Sequence, residues 1–370
     1  MRYFIIFCLF IGLYPSAQAQ DLHFSQYHLA PLHLNPALTG FMDQGNHRLL
    51  FKHRNQWSSV FNNQNTNFSS NEAFQSIYAS YDMRWCNNGD YWAVGGHALR
   101  DWVGEPEFSL NQAHFSLGYH KRLRGGKSST FISAGFQAGF NHYNFDESGL
   151  RFDAQFDSEL GYQSNAPSME DFTDRNNLWF FDFSGGLTVY TRHPSYDLVA
   201  GVAVTHLGPR REFIFLTNTT FPEEEKLERT LRLTGHLSLR LPFKPKSQTA
   251  ILFRTIYVHQ NPHWQLLPMV LFHGRLGSKR SLYFNSIAIG PGVRLTDNKA
   301  VDNTPILVDA AVLSLEFNVF NGLRLGLAYD FNVSPLAKAS KGFGSFELSL
   351  GYQFGTLNDK ECQKFDCPYF

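Results

Sequence analysis

After its first twenty residues the chain has no run of the roughly eighteen apolar residues that a membrane-spanning helix needs. It has no charge bias either, with 32 basic and 32 acidic residues, so nothing in its net charge points to nucleic acid or an anionic membrane surface. Cysteine is scarce, at four residues. Cys8 lies inside an apolar leader, and the other three, Cys86, Cys362 and Cys367, are an odd number that excludes a complete internal disulfide framework. A small Cys362–Cys367 loop in the tail stays open. No Cys-x-x-Cys or His-Glu-x-x-His string supports a metal site, and no Gly-x-Ser-x-Gly elbow supports a hydrolase nucleophile. Tandem repeats and low-complexity tracts are absent as well.

What is present begins with a secretory leader. Arg2 precedes an apolar core from Phe4 to Leu13, then Pro15 and the small-residue site Ala17-Gln18-Ala19, which predicts cleavage near Gln20. Cys8 stands within the core and not at the cleavage point, so no lipid anchor is expected. The mature chain then shows strict period-two patterning. In Phe346–Phe354 the residues Phe346, Leu348, Leu350, Tyr352 and Phe354 share one strand face, opposite Glu347, Ser349, Gly351 and Gln353. The same split occurs in Leu323–Phe331 and Ser129–Asn141. A soluble sandwich also alternates; the leader and a polar face carrying charges favour a membrane barrel. Hydrocarbon satisfies no open sheet edge, so strands in a membrane must close. Mean hydropathy of −0.27 beside 16% aromatic residues fits strands that meet lipid on one face only.

About fourteen such runs, mostly about ten to fourteen residues long, lie between turn signals. Tight turns, such as Asn87-Asn88-Gly89-Asp90 and His193-Pro194-Ser195, follow the even-numbered runs, and long loops follow most odd-numbered ones. The predicted fold is therefore all-β, a transmembrane antiparallel β-barrel of about 14 strands of the outer-membrane type, with both termini periplasmic. The short connection at Asn261-Pro262-His263 departs from this scheme. The expected organisation is a signal peptide (1–19), an N-terminal periplasmic, plug-like segment (20–47), the barrel (48–354) and a periplasmic tail (355–370). The acidic Glu223-Glu224-Glu225 cluster reads as a solvated loop tip.

Several strings carry a family likeness. The stretch QDLHFSQYHLAPLHLNPALTGF (Gln20–Phe41), HRNQW (His53–Trp57), GVAVTHLGP (Gly201–Pro209), AYDFNVSPL (Ala328–Leu336), FGSFELSLGYQF (Phe343–Phe354) and the terminal CPYF together resemble the PorP/SprF family of Bacteroidetes-type bacteria. Leu38-Thr39-Gly40 departs from the commonest family pattern. The resemblance implies an outer-membrane component of the type IX secretion system, linked to gliding motility. It implies export or attachment of a surface adhesin ending in a type B C-terminal domain. As partners it implies that large secreted protein through its C-terminal domain, other type IX translocon components and a periplasmic or peptidoglycan-associated lipoprotein, besides outer-membrane lipid. Catalysis, cofactors, metals and nucleic acid are not expected. The rival is a passive porin or hydrophobic-solute channel.

Two sets of candidate residues follow. In Leu231–Leu241 the leucines alternate with Arg232, His236 and Arg240, which therefore enter the lumen. With Arg324, Asp330 and Glu347 they either satisfy one another in a wet interior or grip an extended partner segment. The second set comes from the family motifs: Gln26, Tyr27, Asn35, Pro36, Asn55, Gln56 and Trp57. Pro36 and Gly40 disfavour one continuous helix in the N-terminal segment, which is expected to plug the periplasmic mouth, dock a secretion component or simply lead into the first strand.

Overall fold

The computed structural model describes residues 21–57, 73–87, 89–104, 108–123 and 128–146, and most of 150–356 outside the connections 170–176, 209–229, 276–283 and 298–305. The leader 1–19, the Glu223–Glu225 cluster, Cys362 and Cys367, and the tail beyond Thr356 lie outside the described residues.

Fourteen strands form one closed antiparallel barrel. They are β1 (His47–Gln56), β2 (Phe74–Asn87), β3 (Asp90–Val103), β4 (Phe108–Leu123), β5 (Ser129–Asn144), β8 (Asn177–His193), β9 (Tyr196–Thr205), β10 (Arg232–Pro242), β11 (Ala250–Gln260), β12 (His263–Arg275), β13 (Phe284–Asp297), β14 (Ile306–Val319), β15 (Leu323–Asn332) and β16 (Phe343–Phe354). A two-residue pair, β6 (Phe156–Asp157) with β7 (Gly161–Tyr162), sits in the connection between β5 and β8. Each barrel strand pairs with its neighbour along the chain, and β1 closes the ring on β16 with His47 opposite Phe354. No helix among the described residues is long and apolar enough to cross a membrane.

Burial separates a membrane barrel from a soluble one. Along β1, Leu49 and Phe51 point outward and remain 46% and 43% exposed, while Arg48, Lys52 and Arg54 point inward and are buried. Along β16, Phe346, Leu348, Leu350 and Tyr352 face out and Glu347, Ser349 and Gln353 face in. Apolar outside and polar inside inverts the soluble pattern and suits hydrocarbon surroundings. Trp92 and Trp102 mark the outward ends of β3. Ten residues at about 3.4 Å, tilted by about 40°, give an apolar band about 26 Å tall, the height of an outer-membrane span.

The two mouths differ. The end holding His47 and Phe354 has tight turns, including residues 194–195 between β8 and β9; the opposite end has the connections 57–73, 145–176 and 206–231. Two connections at the loop end are short, residues 104–107 and the pair Asn261-Pro262. Near the turn end, Cys86 is disulfide-bonded.

Candidate functional site in the lumen

The barrel interior is occupied by the chain's own N-terminal segment. Between Asp21 and Asn46 three short helical turns, Tyr27–Leu29, Pro31–Leu34 and Pro36–Leu38, replace the single helix that Pro36 and Gly40 disfavour. Almost every side chain from Phe24 to Met42 is buried. Its apolar residues Tyr27, Leu34, Leu38 and Phe41 pack with inward-facing Tyr91, Phe131, Tyr190 and Leu267 of the wall. The segment runs the length of the lumen and is not confined to one mouth. Asp21 lies at the loop end, against Gln260, His206 and Arg232, whereas Asp43 lies near the turn end against Arg324. Asp21 and the end of β16 thus lie at opposite mouths, while the expectation that both termini share one side falls on residues outside the described ones.

Three contact zones hold the segment. At the first, Glu347 accepts the backbone amides of Ser25 at 2.6 Å and Gln26 at 3.0 Å and pairs with Lys52 at 2.9 Å and with Arg54. The Ser25 hydroxyl donates to Asp330 at 2.7 Å, and Arg294 and Arg54 reach the same carboxylate at 2.7 and 3.2 Å. Lys52 also donates to the Gln26 carbonyl at 2.7 Å. Three cations and two carboxylates, all buried, therefore converge on two residues of the segment, and burial without such pairing would be prohibitive. The Gln26 amide continues the zone by donating to the Ser314 hydroxyl and the Leu327 carbonyl at 3.0 and 3.1 Å.

The second zone centres on Asn35. Its side-chain NH₂ lies 3.0–3.2 Å from the carbonyls of Leu187 and Val202, the Thr188 hydroxyl and His236 Nε2, and its carbonyl oxygen accepts the Ala37 amide at 2.9 Å. Pro36 follows in the first turn after this cap. Wall glycines let the backbones meet here. A Cβ on Gly135 would lie 2.2 Å from the Pro36 carbonyl carbon, and one on Gly186 would lie 2.0 Å from Asn35 Oδ1. At the third zone, near the turn end, Arg48 forms a bidentate pair with Asp82 and donates to the carbonyls of Phe41 and Leu38, while Asp82 accepts the Gly40 amide at 2.6 Å.

His28 and His33 belong to this segment and not to a spanning strand. Burial, reinforced by Arg254, lowers His28 to about 4, although Glu316 lies 2.9 Å away. Burial and Arg232 lower His33 to about 3. His23, His28 and His33 do not converge, and the described residues contain no group of three or more histidine, cysteine or acidic side chains placed to hold a metal.

The sequence-derived candidates divide accordingly. Arg232, His236, Arg324, Asp330 and Glu347 all contact residues 21–43. The extended segment they grip is the chain's own. Arg240 pairs with Asp197 at 3.2 Å and donates to the Ser247 carbonyl at 2.7 Å, close to the turn end. Gln26, Asn35 and Pro36 are at the contact zones, and Tyr27 is buried against the wall. Asn55, Gln56 and Trp57 sit apart at the loop end, where Gln56 accepts from Arg54 at 3.3 Å and Trp57 packs edge-on against Phe74. Lys52, Arg54 and Arg294 escaped the sequence reading, as did the Arg48–Asp82 pair. Arg48, Lys52 and Arg54 alternate with Leu49, Phe51 and His53, the same signal that exposed Arg232 and Arg240.

Similar solved structures share the barrel class at low identity. The chain matches CdiB from Acinetobacter baumannii at 8% identity and TM-score 0.42, covering 84% of this chain and 60% of that one. It matches the Acinetobacter baumannii outer membrane protein Omp33 at 6% identity and TM-score 0.36, over 84% of this chain and all of the other. A TodX deltaS2S3 mutant, a monoaromatic hydrocarbon channel, matches at 9% identity and TM-score 0.40, over 87% and 92% of the two chains. The chain thus spans less than two thirds of CdiB, and no curated protein sequence matches it significantly. A family model described as "Type IX secretion system membrane protein PorP/SprF" matches residues 16–352, nearly the whole chain. The protein therefore belongs to the PorP/SprF family of type IX secretion system membrane proteins.

Proposed function

We propose that this outer-membrane barrel binds a secreted surface adhesin, through a type B C-terminal domain, and helps to export or anchor it in support of gliding motility. The observation that carries the reading is the latched N-terminal segment, which fills the lumen from Asp21 to Asp43 and leaves the mouths and loops for recognition. The mode of action is binding, with other type IX components and a periplasmic lipoprotein as further partners. The turn end faces the periplasm and the loop end the exterior, in keeping with short turns inside and long loops outside. A passive porin needs an open path, and three zones of buried polar contacts oppose one.

Affinity purification of the tagged chain from its native outer membrane, after mild crosslinking and with mass spectrometry, tests this. Recovery of a large surface protein together with translocon components is the expected result. A barrel recovered alone, with solute conductance in planar bilayers, would reverse the assignment.

A further inference from the structure

The outer wall carries a feature that the lumen does not explain. Strand pairing aligns Ala79 of β2, Ala98 of β3 and Ala113 of β4 in one outward row, flanked by Phe51 of β1 and Phe140 of β5. In the adjoining row toward the turn end Tyr81 pairs with Gly96, and Gly96 with Phe115. Small side chains between aromatic walls leave an apolar groove of about 860 Å³ facing the hydrocarbon.

The next row toward the loop end carries polar side chains at four of its five positions. His53 of β1 pairs with Ile77, Ile77 with Arg100 of β3, Arg100 with Asn111 of β4, and Asn111 with His142 of β5. Two residues along each strand separate this row from the groove, about 6.7 Å. The row spans four strand spacings, about 19 Å, with the guanidinium at its centre. Arg100 lies 5.3 Å from the Trp102 ring, and His142 stacks on Trp179 at 4.1 Å, so the row sits at the level of the interfacial aromatics. An arginine on a lipid-facing strand is costly at the midplane and cheap at this depth, where it meets lipid headgroups.

We propose that the outer wall of β1–β5 is a lipid-binding site for one glycerophospholipid, its phosphate at Arg100 and its acyl chains in the alanine groove. One permanent cation above one groove matches one phosphate above an acyl chain. Arg is the side chain best suited to that group, through paired N–H donors. The site depends on membrane insertion but not on any secretion partner, so it stands or falls separately from the adhesin reading.

The test is native mass spectrometry of the full barrel in detergent with phosphatidylglycerol, an equal-chain diacylglycerol lacking phosphate, and lipid A. The expected result is retention of one phosphatidylglycerol, preferred over diacylglycerol by about tenfold, the size of one charge-assisted contact. R100Q removes the preference, whereas R192Q, at the opposite end of the barrel, keeps it. A98F fills the groove and lowers retention of both glycerolipids. Unaltered heat-modifiable gel migration checks that each variant is folded. Equal retention of the glycerolipids, a preference that survives R100Q, indifference to A98F, or stronger retention of lipid A than of phosphatidylglycerol would each overturn the assignment.

Discussion

Replacing Glu347 with glutamine acts on the most connected residue of the lumen. The carboxylate accepts two consecutive amides of the segment, Ser25 and Gln26, and neutralises Lys52 and Arg54. A glutamine offers one acceptor oxygen and turns an NH₂ toward donors, so one amide loses its acceptor and two buried cations lose half of their shared countercharge. Breaking a buried ion pair by removing one partner costs about 3–5 kcal/mol. The wall keeps its strand pairing, so the cost falls on the docked segment. The ratio of docked to undocked segment then drops by about 10²–10⁴. Hydrogen exchange with mass spectrometry reads this directly, since amide protection reports the opening free energy of each region. Protection of the peptide covering Ser25–Ala30 should fall by that factor in E347Q while β4 and β5 keep theirs. Unchanged protection of that peptide would refute the latch.

Three further predictions follow from named contacts. Gly135→Val places a branched side chain against the backbone of Pro36 and Ala37, which cannot yield as a flexible side chain would; protease access to residues 33–40 should rise while the folded barrel still migrates normally on gels. Parent-like resistance would contradict the close approach. His28 and His33 are lowered to about 4 and about 3, against about 6.5 in water, so an undocked segment binds more protons than a docked one across that interval. Their contribution to docking is fully present above about pH 6.5 and is lost as pH falls toward 4 and then 3. Protease protection of the segment, titrated with an acid-tolerant protease, should decline over that window, and a decline on going alkaline instead would have the wrong sign. Finally, Cys86 is disulfide-bonded, and the other cysteines of the sequence are Cys8, Cys362 and Cys367. Non-reducing peptide mapping should find Cys86 linked to one of them, and alkylation of Cys86 without reductant would exclude the bond.

The wall was legible from the sequence because lipid and lumen impose opposite demands on alternate residues. All fourteen strands of the barrel fall on period-two runs, most with an apolar face opposing a polar one, although β9, β11 and β12 carry apolar residues on both faces, and the tight turns mark the end that holds His47. The inward direction of Arg232, His236, Asp330 and Glu347 followed from the same parity. What those residues hold was not legible. The N-terminal segment has no period, since its contacts are set by the surrounding wall and not by a repeating secondary structure. Asn35 meets β8, β9 and β10 across separations of 152 to 201 residues, and Ser25 meets Asp330 across 305. The glycines at 135 and 186 read as ordinary polar-face residues until the segment is placed over them. For Arg240, parity gives the inward direction but not its partner at the rim, Asp197.

The central claim is that this barrel is kept closed by its own N-terminal segment. Conductance in planar bilayers, comparing the parent with a variant lacking residues 21–43 behind the same leader, tests it most directly. The parent should show no stable open level, and the deletion should show a steady ionic conductance through the emptied lumen. Equal conductance from the two proteins, whether open or closed, would contradict the claim.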